Sequence, residues 1–141
     1  MVEETATNPG QTASRRPELL ADVQSAFPFT LFPDSINIDR RKITVIHRAI
    51  FGKSIVVSVP LADIHRVELS TGPRFGSLKI MAKFFDDKPV TVNFLTKSDA
   101  FLVKRLLDGF IIAIERNIDC SRMQKHELIA ILKGLGQGVA D

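Results

Sequence analysis

A mainly β domain with α (an α+β class), a small curled sheet capped by a helix, is what this 141-residue sequence predicts. Three observations carry that expectation. Seven short apolar segments lie between Phe27 and Leu95, most with an in-out period of two. The alternation breaks at Pro60-Leu61-Ala62-Asp63-Ile64, which divides them into four and three. From about Ser98 to Asn117 the period changes to that of one long helix.

Composition sets the frame. At 45% hydrophobic and 25% charged, the chain has the make-up of one globular domain able to bury its own core. The net charge of +3 is mildly basic, short of a committed nucleic-acid binder, and the excess is local: residues 27–96 hold ten Lys/Arg against six Asp/Glu. The single cysteine, Cys120, excludes an intrachain disulfide framework and points to a reducing compartment. The acidic Met1-Val2-Glu3-Glu4 start lacks a secretory apolar stretch, so a cytoplasmic location is expected, with any membrane contact peripheral at the inner membrane face.

Along the chain, residues 1–16 are polar and read as a disordered tail. Residues 17–26 read as a short helix or strap, with Leu19, Leu20 and Val23 on one face. Phe27–Leu31, Ser35–Ile38, Lys42–Arg48 and Ser54–Val59 form a meander, its turns at Pro33-Asp34 and Asp39-Arg40-Arg41, and Ile55, Val57 and Val59 share a side. After the corner come Arg66–Ser70, Ser77–Phe85 and, beyond Asp86-Asp87-Lys88-Pro89, Val90–Phe94. Leu78, Ile80, Val90, Val92 and Phe94 are the expected inward set. On the long helix, Ala100, Val103, Leu107, Phe110, Ile111, Ile114 and Ile118 form the stripe that covers the sheet. Leu102, Leu106, Gly109 and Ala113 form a second strip that lets another helix approach. Residues 119–141 supply an extra helix and tail, opened by the capping box Ser121-Arg122-Met123-Gln124 and ended by Gly134 and Gly136.

Three stretches carry a family likeness: Phe29-Thr30-Leu31-Phe32-Pro33-Asp34-Ser35-Ile36, Ser58-Val59-Pro60-Leu61-Ala62-Asp63-Ile64 and Gly76-Ser77-Leu78-Lys79-Ile80. On these, residues 27–118 resemble a bacterial pleckstrin-homology-like (PH-like) domain. The resemblance implies two nearly orthogonal antiparallel sheets, four plus three strands, forming a barrel closed by a C-terminal helix. It also implies a non-catalytic binding or scaffolding module.

Candidate sites follow from chemistry. Arg40, Arg41 and Lys42, with Arg48 and Lys53 further on, are the densest cations and could meet phosphate or anionic lipid, or simply solvate a turn and guard a sheet edge. Arg74 and Phe75, between Gly72 and Gly76, could form a binding loop. Phe101 and Ile112 sit on the polar side of the long helix among Arg105, Asp108 and Arg116. Leu128 and Leu132 share a face of the last helix, which either folds back on the long helix or docks elsewhere. His47, His65 and His126 are not grouped at metal-ligand spacing, and Asp63 with His65 reads as corner chemistry, so no enzyme activity, metal or cofactor is expected. A protein partner is the leading expectation, anionic lipid through the five cations the alternative. Nucleic acid is disfavoured because the ten Phe fall mostly in apolar phase, and homo-oligomerisation is left open.

Overall fold

The computed structural model describes residues 18–26, 33–48, 52–83 and 89–140, and the chain is α+β: two antiparallel sheets and two helices. The first sheet holds β1 (Ala21–Gln24), β2 (Ser35–Ile38), β3 (Lys42–Arg48) and β4 (Ser54–Pro60), each paired with the next. The second holds β5 (Ile64–Thr71), β6 (Phe75–Ala82) and β7 (Val90–Thr96) in the same consecutive order. A 3-10 turn, Leu61–Asp63, makes the corner between them, where Pro60 breaks the alternation. Among the described residues neither sheet closes on itself.

The first strand corrects the expected short helix within residues 17–26. Ala21 and Val23 are buried while Asp22 and Gln24 are exposed, and Val23 pairs with Ile36, so a period of two prevails over a helical one. The expected tail, the Phe27–Leu31 strand and the Asp86-Asp87-Lys88 turn lie outside the described residues. Just after β1, Ser25 Oγ donates to the Asn93 carbonyl at 2.7 Å and Ala26 N–H to the Phe94 carbonyl at 2.7 Å, fastening the first sheet to β7 of the second.

One apolar core runs through both sheets, with Ile36, Ile38, Ile43 and Val45 from the first and Leu78, Ile80 and Val92 from the second. Two apolar strand residues, of which Phe94 was expected inward, stand outside it. Ile55 is 66% exposed because β4 meets the core only towards Val59. Phe94 is 46% exposed because a bulge shifts β7 against β6, so that Leu95 takes the inward place and Phe94 adopts a φ of 60°.

The helix α1 (Lys97–Glu115) starts on Thr96, whose Oγ1 accepts from Asp99 N–H, and lies over the second sheet and the corner. It ends in a left-handed Asn117, with Ile118 N–H donating back to the Ala113 carbonyl. Ala100, Val103, Leu107 and Phe110 are buried as expected, but Ile114, near the helix end, is 43% exposed. The last helix, α2 (Lys125–Ala140), packs on α1. It starts three residues later than the capping box predicts, because Ser121 is bound by its N–H and Oγ to the Asp119 carboxylate. It also runs through Gly134 and Gly136 rather than ending there.

Candidate functional site

The five cations do not form one cluster. Asp39, buried at the β2–β3 turn, accepts from the Arg41 and Lys42 N–H groups at 2.7 and 2.9 Å, an Asx turn that sets Arg40, Arg41 and Lys42 at one end of β3. Arg48 is at the other end, beside Lys53 through the Arg48–Ser54 register, and six strand steps amount to about 20 Å. Two of the five are also engaged internally. Arg40 donates to the Cys120 carbonyl at 2.9 Å and pairs with Glu18 at 3.1 Å, and Arg48 donates to Ser35 Oγ and the Pro33 carbonyl. Arg41, Lys42 and Lys53 are the exposed remainder. That layout places Arg40, Arg41 and Lys42 at one end of β3 and Arg48 and Lys53 at the other.

Leu128 and Leu132 are corrected as surface candidates, since both are fully buried against α1. Ile112 is half-buried and forms part of a groove of about 330 Å³ between β5 and α1, with His65, Arg66, Lys104, Asp108 and Glu115 around it. Within the helix, buried Asp108 takes Lys104 Nζ at 2.5 Å, four residues away. Asp63 lies in the 3-10 turn, where its carbonyl accepts from Lys83 N–H, and His65 sits at a bulge in β5. Burial pushes the Cys120 thiol above its ordinary pKa, the Asp119 carboxylate adds to that, and Arg40 opposes it. No group of three or more His, Cys, Asp or Glu suited to a metal ion occurs among the described residues.

Arg74 and Phe75 sit at a different kind of surface. The β5–β6 turn is closed by Gly72 N–H donating to the Phe75 carbonyl at 2.8 Å, and Arg74 is exposed at its tip. Phe75 meets Phe94 edge-on with centroids 6.0 Å apart. The two rings border a groove of about 410 Å³ whose walls also include Thr71, Gly76, Ser77 and Asn93. Among the described residues none of its lining side chains is ionisable, so they suit a neutral apolar group with hydrogen-bonding neighbours. Gly76 is constrained here, since a Cβ on it would press on the Ala100 methyl. Phe101, one residue past Ala100, is 45% exposed. Phe94 was the residue the sequence pattern hid, for its alternation with Val90 and Val92 places it inward and only the bulge turns it out. No helix among the described residues is long and apolar enough to cross a membrane. In comparisons with protein-family models, curated proteins and solved structures, none matches this chain.

Proposed function

We propose that the chain is a PH-like, non-catalytic binding or scaffolding module whose partner is a protein, engaged at the Phe75–Phe94 groove with Arg74 at its rim. The observation that carries this reading is Phe94, a bulky residue held in left-handed backbone and 46% exposed. A β-strand phenylalanine gains from burial, and a φ of 60° costs on the order of 1–3 kcal/mol, so the surroundings hold it outward against both preferences. Partly exposed aromatic rings beside an arginine are the side chains that most often anchor a protein interface. Anionic lipid is the weaker reading, because Arg40 and Arg48 are engaged and the remaining cations are divided between the ends of β3.

Selection of displayed peptides on the whole chain tests this. The expected ligands are neutral, apolar peptides whose binding falls at least about tenfold in Phe94→Ala, the loss of about 1.4 kcal/mol that an anchor residue carries. Melting of the variant should match the wild type. Peptides that bind Phe94→Ala equally well would remove the groove from the reading. Salt-sensitive flotation on anionic vesicles, abolished in Arg41→Ala/Lys42→Ala, would replace it with the lipid reading.

A further inference from the structure

The two described sheets have four edges, and three are guarded. β1 carries the exposed Asp22 and Gln24. β5 carries His65 and the Arg66–Glu68 ion pair, with α1 packed against it. β7 has its Asn93 and Phe94 carbonyls occupied by Ser25 and Ala26. The fourth edge, β4, has no charged residue from Ser54 to Pro60 and exposes Ile55 by 66% and Val56 by 59%. Ile55 and Val56 are consecutive, so they stand on opposite faces of the strand, and a cover over one face would leave the other exposed.

The hydrogen-bond phase of this edge can be read. Leu61 N–H donates to the Arg41 carbonyl, so in the same antiparallel register Val59, Val57 and Ile55 exchange bonds with β3. Ser54, Val56 and Ser58 therefore direct their N–H and C=O groups away from the sheet, and Pro60, with no N–H to offer, falls in the same outward phase. No described strand takes those groups. The outward segment Ser54-Ile55-Val56-Val57-Ser58 is nearly symmetric about Val56.

We infer that β4 pairs antiparallel with β4 of a second copy of this chain across a two-fold axis at Val56, joining two four-stranded sheets into one. In that register Val56 faces its own copy, Ser54 faces Ser58 and Ile55 faces Val57. All three outward residues exchange their backbone bonds, serine hydroxyls meet across the strands, and both exposed apolar side chains gain apolar neighbours on their own faces. With no charge between Ser54 and Pro60, the two-fold sets no like charges directly opposite. The pairing is separate from the Phe75–Phe94 groove and holds or fails independently of it.

Light scattering of the whole chain across its soluble concentration range tests the inference, with twice the mass of one chain expected. Val56→Lys places two ammonium groups against each other on the axis and should return the mass to that of one chain while circular dichroism stays unchanged. A second variant reads the register even if that one fails to fold. Facing residues of a hydrogen-bonded antiparallel pair have Cα atoms about 5.5 Å apart, within disulfide reach, so Val56→Cys in a Cys120→Ser background should form a covalent dimer on oxidation. Asp22→Cys in the same background, on the guarded edge, should not. A single-chain mass at every concentration, or a dimer that persists in Val56→Lys while Val56→Cys forms no cross-link, would overturn it.

Discussion

At the scale of single residues, this chain uses short polar side chains to hold its connections. Asp119 is the clearest, with its carboxylate accepting both the N–H and the hydroxyl of Ser121 at 2.9 and 2.6 Å. Those bonds favour the ionised form and lower its pKa, the hydroxyl more than the N–H. A group with a depressed folded pKa contributes stability above its unfolded pKa, near 3.8, and loses it as pH falls through the folded value. Ser121→Ala should therefore melt below the wild type at neutral pH, and the gap should narrow as the pH drops below the ordinary aspartate range. A gap that stays constant from neutral to acid would mean that Ser121 acts other than through the carboxylate. Phe94 and Asn117 share left-handed backbone but differ in ease: asparagine tolerates it at a helix end, whereas phenylalanine needs the bulge and the ring of Phe75 around it.

At the scale of elements, the two helices meet through glycines that a propensity argument misplaces. A Cβ on Gly109 of α1 would overlap the Leu132 backbone carbonyl, and one on Gly136 of α2 would overlap the Arg105 carbonyl. Each helix thus offers a gap to the other's main chain, and Leu128 and Leu132 are fully buried alongside. Gly134, two residues from Gly136, has open space where its Cβ would stand. Chemical denaturation should separate them. Gly109→Ala and Gly136→Ala should each destabilise by about 2–3 kcal/mol, since backbone cannot yield as a flexible side chain can. Gly134→Ala should instead stabilise by up to about 1 kcal/mol, the helix-propensity gain alone. Equal effects at all three would refute the close packing. The same residues show what sequence could convey. The Leu106-Gly109-Ala113 strip was legible as a helix contact because its spacing is a property of α1 alone. Gly134 and Gly136 read as terminators because a glycine past a helix end and one beneath a crossing helix look identical until the partner is known. Strands β2, β3 and β4 were legible because turn residues bound them, while the turn-out of Phe94 was not, since a bulge depends on the neighbouring strand's register.

At the scale of the whole molecule, the hairpin turn that looked like an anion site is a fastening. Arg40 reaches from the β2–β3 turn to the Cys120 carbonyl in the connection between the helices and to Glu18 ahead of β1, so one guanidinium links sheet, helical hairpin and the entry to the first strand. Its neighbour Arg41 is exposed, and Asp39 holds it in the turn through its backbone N–H rather than its guanidinium. Sequence could not rank the two, because they are adjacent cations on one turn and only the third dimension brings Cys120 beneath one of them. Urea denaturation should therefore distinguish them. Arg40→Ala removes a charged donor from a part-buried carbonyl and should cost about 1.5–2 kcal/mol. Arg41→Ala should stay within about 0.5 kcal/mol, as exposed substitutions do. Because the Arg40 charge favours the Cys120 thiolate against burial and Asp119, its loss should also raise the thiol's pKa further and slow alkylation of Cys120 at neutral pH. Matched stability and matched thiol reactivity in the two variants would return Arg40 to the surface and revive the turn as an anion-binding candidate.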